Sequence, residues 1–361
     1  MSPPDWFSPS YEIARRRFRE AAAAIGAVAE RYAVETGGQD TNLTIDVVTV
    51  GSAAPRGVVI VSSGLHGVEG FFGSAIQLAW LARLVGGAAP PADGAVVLVH
   101  GLNPYGFARL RRTDAGNVDL NRNFLDTDEA YDGAPARYAA LDRFLNPTSP
   151  PSRAEPFTLK ALWYIRRFGL PALKEAVAGG QYLFPRGLFF GGRGPAPSAQ
   201  IVRRHLATWV GSAPRVLHLD LHSGLGAHGG HRLLLLESAD APDVEWYRDT
   251  FGRDVVEPAA GGARTAYAAS GTLGGWAQRH LRGTRYRFVN AEFGTYSIVR
   301  VLGALRAENR AHFFGRPGTA SYRQAKTELL ECFCPRSHRW REQVVKAGLA
   351  LLDRAVAAQT P

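Results

Sequence analysis

RGVVIVSSGLHGVEGFFGSAIQLAWLARLV, residues 56–85, decides the fold. Residues 56–64 form a short β-branched apolar run ending in Ser and Gly, the pattern of a strand buried on both faces. Residues 71–85 follow as a helix, and AVVLVHGLNP at 95–104 is a second buried strand closed by Gly and Pro. Strand, helix and strand in this order make a βαβ unit, which pairs its strands in parallel.

Outward from that unit, LTIDVVTVG at 43–51 alternates like a half-buried strand. RVLHLDLHSG at 215–224, HRLLLLES at 231–238 and RYRFVNAEFGT at 285–295 supply further short apolar strands. Tyr11, Ala14, Phe18, Ala22, Ile25, Val28 and Tyr32 recur at helical spacing and predict an amphipathic helix over 9–35. KTELLECF and WREQVVKAGLALLDRAVAA predict C-terminal helices. Residues 125–200 read differently. NPTSPPSRAEP at 146–156 is a loop, Pro171 breaks the next helical stretch, and 183–198 is rich in Gly and Pro. The expectation is a single α/β domain over 1–361. Its mixed, mostly parallel central sheet carries helices on both faces, and 125–200 is a helical and loop insertion or lid.

Composition narrows the function. A chain of 361 residues that is 46% apolar buries a sizeable core and is not disordered. The net charge of +10 is almost all arginine, but it is scattered. Arg15 to Arg17 lie on a predicted helix and Arg109 to Arg112 inside a chemical motif, so no nucleic-acid partner is expected. Cys332 and Cys334 stand alone, which excludes a disulfide framework. The opening MSPPDWFSPSYEIARRRF lacks the apolar core of a secretory signal, and no run is long enough to span a membrane. A cytoplasmic protein is the expectation.

The chemistry lies at strand ends. His66 and Glu69 follow the first buried strand, where open α/β sheets place ligands, and a His with a carboxylate suits zinc. NPYGFARLRRTDAGNVDLNRNF at 103–124 gathers Arg109, Arg111, Arg112, Asp119, Asn121 and Arg122 after the second. Arginine forks grip carboxylates. His218, Asp220 and His222 share one face of the third strand. His222, nearest the exit, is the third metal ligand, and His218 is a core or supporting residue. His228 and His231 read as structural or exposed. Glu292 is a carboxylate inside an apolar strand, a costly placement that a general base justifies.

LHGVEG, NPYGFARLRRTDAGNVDLNRNF, DLHSG, TAYAASGTLGGW and AEFGT, in this order across residues 64–295, resemble the zinc metallocarboxypeptidases of the carboxypeptidase A (M14) type. More narrowly they resemble a bacterial DUF2817-like branch. The resemblance implies one zinc ion on His66, Glu69 and His222, with Glu292 as general base and acid. It makes Arg112 the oxyanion-stabilising arginine, Asn121 and Arg122 the clamp on a substrate carboxylate, and Asp119 the carboxylate that orients His66. Tyr267 matches the tyrosine that closes over substrate. The implied substrate is a peptide or amino-acid amide. The 125–200 insertion has no counterpart in the digestive enzymes, and Gly274 and Gly275 do not name a preferred side chain. Two other readings stand beside the peptidase: an aspartoacylase-like deacylase of N-acyl amino acids, and an inactive zinc- or ligand-binding protein.

Overall fold

The computed structural model describes residues 3–38, 42–152, 154–170, 173, 179–259, 270–281 and 283–359. Eight strands form one sheet: β1 (Glu30–Ala33), β2 (Thr44–Gly51), β3 (Gly57–Ser63), β4 (Gly94–His100), β5 (Arg215–Gly224), β6 (His231–Ser238), β7 (Val256–Ala259) and β8 (Arg285–Gly294). Their order is β1-β2-β4-β3-β5-β8-β6-β7. The central block β4-β3-β5-β8 is parallel, as is β6 with β7, and the three remaining pairings are antiparallel. The sheet is thus mixed and mostly parallel.

The helices are α1 (Tyr11–Ala24), α2 (Gly70–Val85), α3 (Pro104–Ala108), α4 (Ala136–Leu145), α5 (Phe157–Phe168), α6 (Pro197–Val210), α7 (Asp243–Phe251), α8 (Leu273–His280), α9 (Ile298–Phe314), α10 (Ala320–Phe333) and α11 (His338–Gln359). One sheet face, with Val59, Val61, Leu219 and Ala291, packs under Phe18 of α1, Phe72 of α2 and Trp340 of α11. The opposite face, with Ile60, Val97 and Val216, packs under Leu206 of α6 and Trp276 of α8. A third apolar cluster joins Leu141 and Leu145 of α4, Leu305 of α9 and Phe333 of α10.

One expectation differs from the structure. The helix anticipated over 9–35 stops at Ala24, because Gly26 takes a φ of +72° that glycine adopts at little cost. The chain then turns back, and Glu30–Ala33 pairs with β2 as an edge strand. The segment 125–200 holds α4 and α5 between loops, in keeping with the helical and loop character expected of it. Glu155 holds this segment down. It accepts hydrogen bonds from Arg306 (2.9 and 2.5 Å) and from Arg310, both on α9.

Candidate metal centre

The parallel block delivers the site. β3 leads through Gly64 and Leu65 to His66, and a single 3-10 turn, Gly67–Glu69, brings the Glu69 side chain back beside it. The segment after β4 docks against this turn. Val68 N donates to Arg111 O (2.8 Å) and Gly67 N to Arg112 O (3.1 Å). The approach is close enough that a Cβ on Gly67 would lie 2.2 Å from the Gly106 carbonyl carbon. β5 brings His222, and the β5–β8 register sets it directly opposite Glu292.

His66 Nδ1 lies 2.9 Å from Glu69 Oε1, and His222 Nδ1 lies 3.2 Å from Glu69 Oε2. All three residues are buried, and one ligand atom from each falls within 4.8 Å of the others. Ligands sharing a tetrahedral zinc at about 2.0–2.1 Å stand about 3.3 Å apart. Two imidazole nitrogens and a carboxylate oxygen are the zinc donor set, so these residues fit that ion.

Each imidazole has its second nitrogen beside a carboxylate. His66 Nε2 is 3.2 Å from Asp119 Oδ1, and His222 Nε2 is 2.7 Å from Asp220 Oδ2. With its proton on Nε2, His222 turns its Nδ1 lone pair to the centre, the arrangement carboxylates enforce on metal-binding histidines. Burial works against the charge on Asp119, but the neighbouring Arg112 and His66 outweigh it and hold the carboxyl well below its usual range. Asp220 also sits low: burial opposes its charge and His222 overcomes that opposition. Its other oxygen accepts from Ser62 Oγ (2.6 Å). Ser62 Oγ in turn lies 2.6 Å from His218 Nε2, and His218 Nδ1 lies 2.6 Å from the Tyr286 hydroxyl.

Glu292 lies beside the trio and accepts a hydrogen bond from Leu225 N (2.8 Å). Burial first, and the Glu69 charge second, push its carboxyl up to about 7. Arg112 donates from Nε to Asp119 Oδ2 (2.9 Å), and its Nη1 stands 3.6 Å from Glu69 Oε1. Its Nη2 also approaches His66 Nε2 at 2.7 Å. The face of Phe189 packs against its guanidinium. Asn121 and Arg122 sit in a 3-10 turn capped by Asp119, which accepts from Asn121 N (3.1 Å). Asn121 Oδ1 is taken by Leu273 N (3.1 Å), which leaves its amide NH2 for a ligand. Both residues line a cavity beside His66, His222 and Glu292.

The structure therefore brings His66, Glu69, Arg112, Asp119, Asn121, Arg122, His222 and Glu292 to one place. Tyr267 lies outside the described residues. His218 is fully buried in the relay, His228 Nδ1 meets Thr295 O, and His231 stacks on Phe293. Arg111 is a brace: buried, it donates to Glu308 (2.9 Å), which also takes Lys326 (2.6 Å). Asp220 and Ser62 support the site without having been singled out for it. Asp220's position two residues before His222, on the same strand face, was the available signal.

The chain belongs to the DUF2817 family, described as a protein of unknown function, whose model matches residues 7–347. No curated protein matches it. Among solved structures it is similar to the carboxypeptidase A of Helicoverpa armigera, with 16% identity and a TM-score of 0.49 over 94% of this chain and 73% of that one. It is also similar to bovine thrombin-activatable fibrinolysis inhibitor, solved in complex with tick carboxypeptidase inhibitor. That match has 11% identity and a TM-score of 0.47 over 95% of this chain and 97% of the other. A metallo-carboxypeptidase of Burkholderia cenocepacia matches with 13% identity and a TM-score of 0.44, over 95% of this chain and 69% of that one. Among the described residues, no helix is long and apolar enough to cross a membrane.

Proposed function

We propose that the protein is a zinc-dependent amide hydrolase that releases a carboxylate-bearing amine, as a carboxypeptidase does. The observation that carries this reading is the convergence of His66, Glu69 and His222 with Glu292 directly across the register. When bound, zinc would supply Lewis acidity, lowering the pKa of water and polarising the scissile carbonyl. Glu292 takes the proton from the attacking water and hands it to the leaving amine. Its raised affinity for a proton suits both halves of that task. Arg112 offers its guanidinium where negative charge develops on the carbonyl oxygen. Asn121 and Arg122 hold the carboxylate of the leaving amine, and an uncharged end would not gain the charge-assisted hydrogen bonds a guanidinium gives a carboxylate.

The test is a digest of mixed peptides and N-acyl amino acids by zinc-loaded protein, read by mass spectrometry. Each substrate is offered with a free and with an amidated carboxylate. Hydrolysis of the free acids alone is expected. Glu292→Gln is expected to cut kcat by about 10²- to 10⁴-fold while zinc content stays stoichiometric. Equal hydrolysis of amidated substrates would remove Asn121 and Arg122 from their role. No hydrolysis of any substrate by the zinc-loaded protein would sink the enzyme reading.

A further inference from the structure

Two cavities meet at the candidate centre, and both are lined largely by apolar side chains, one more so than the other. His66 and Glu292 line both. Asn121 and Arg122 line only the less apolar one, whereas Arg112 lines only the other. A scissile amide held between His66 and Glu292, with its leaving amine on the Asn121 and Arg122 side, therefore sends its acyl side into the second cavity.

That second cavity encloses about 140 Å³, and about 1040 Å³ of atom-free space when the open solvent at its mouth is counted. Its walls include Leu141, Leu145, Ile165, Val301, Leu305 and Phe333. Among the described residues, beyond those of the site and Ser223, whose hydroxyl is committed to Phe333 O (2.6 Å), Tyr164 is the one lining side chain with a polar atom. A peptide continuing toward its N-terminus carries an N–H and a C=O at each residue. Buried without partners, each such group costs binding. An unbranched alkyl chain carries none, and it gains from every methylene that leaves water.

The mouth has the same character. Leu170 both lines the cavity and is 40% exposed. Leu159, Leu162 and Trp163, on the outer side of α5, and Phe168 at its end are exposed as well, and among the described residues the remaining large exposed apolar side chains are Val28, Val85 and Leu183. Ala161 and Ile165 of the same helix turn inward to the cavity. So α5 is apolar toward the cavity and carries much of the molecule's exposed apolar surface outside it. An amphiphile would meet such a surface on its way in.

We infer that the substrate is an N-acyl amino acid with a long aliphatic acyl chain, the chain filling the apolar cavity and the amino-acid carboxylate lying toward Asn121 and Arg122. This rests on the hydrolase reading above. Water adds across the amide: the C–N bond breaks, the acyl carbon gains the hydroxyl, and the amine leaves with the proton. The products are a fatty acid and a free amino acid, and no other reactant is consumed.

The test uses the zinc-loaded full chain with N-acetyl, N-octanoyl and N-dodecanoyl derivatives of glycine, leucine, phenylalanine and glutamate, and with peptides ending in the same residues. Binding of dodecanoate is measured separately on Glu292→Gln protein by calorimetry. The expected result is kcat/KM rising about fourfold per added methylene until the cavity is full, together with dodecanoate binding. Ala161→Trp, which intrudes on the cavity, should lower the dodecanoyl-to-acetyl ratio at least tenfold, and a ratio needs no assumption about how much protein folds. Leu159→Trp on the exposed face of the same helix serves as the folding comparison. Peptides cleaved at least as well as dodecanoyl substrates, with no dodecanoate binding, would overturn the inference and leave the hydrolase reading intact. Dodecanoate binding without hydrolysis of any substrate would keep the apolar site and sink the hydrolase reading instead.

Discussion

The two sides of the metal centre are built in different ways. On one side, His222 and Glu292 ride on the carboxyl ends of β5 and β8, where register sets one opposite the other, and His66 and Glu69 follow β3 in a turn docked by backbone hydrogen bonds against the segment after β4. On the other, the apolar cavity is walled by α4, α5 and α9, elements that pack through side chains and share no backbone ladder. A sheet constrains positions through a repeating hydrogen-bond ladder. A helical wall constrains only shape and polarity. On the reading proposed above, the reacting groups would sit on the stiff part of the molecule and substrate selection on the adaptable part.

Large-to-small changes in the two regions should separate them most sharply. Leu219 on β5 is fully buried among close neighbours, and Leu219→Ala is expected to cost about 2–5 kcal/mol in urea unfolding. Leu141 faces space that is already empty, so Leu141→Ala should cost less than half as much while enlarging the cavity. Equal costs would mean that the cavity collapses in solution. The next effect is on metal affinity. Asp220→Asn retains shape but loses the carboxylate that holds His222 by its Nε2, and zinc binding should weaken about 10- to 100-fold in competition with a chelator. Unchanged affinity would reduce Asp220 to a filler of the strand face.

The smallest effect tests how the helical wall is attached. Hydrogen bonds from Arg306 come first among the causes that hold Glu155 down to about 2, with Arg310 adding to them. A carboxyl depressed in the folded state stabilises above its ordinary pKa and loses that contribution as pH falls through the depressed value. Limited proteolysis of the 146–156 loop by an acid-stable protease should therefore accelerate between about pH 4 and pH 2. Glu155→Gln should be cleaved at a faster rate with a flatter pH dependence over that window. Parallel pH profiles for the two proteins would show that Glu155 does not anchor this segment.

The same contrast explains what was legible in the sequence. Buried parallel strands are continuous apolar runs, so β3, β4, β5 and β8 announce themselves, and the residues at their ends follow. Asp220 was visible on the right face, but whether it orients His222 or fills the core depends on where the second imidazole nitrogen points. The edge strand β1 is only four residues long, and the helical spacing of Ile25, Val28 and Tyr32 runs straight across it. The apolar cavity left no trace. Leu141, Ile165 and Leu305 look like any core leucine or isoleucine, and an empty space between side chains has no residue of its own. Tyr267 falls outside the described residues, so its role stays with the resemblance that suggested it.

The separation of Glu69 from His222 in the chain, 153 positions, has a consequence for how the protein is made. A ribosome releases His66 and Glu69 long before the histidine that completes their site. The early strands β3 and β4 can pair as soon as both have emerged, but a two-donor half-site holds an ion far more loosely than a three-donor one. Loading with metal thus belongs to the late part of synthesis, after β5 has docked beside β3. A nascent chain stalled before residue 222 should carry no tightly bound ion, and a finished one starved of zinc should already own a shaped cup awaiting it.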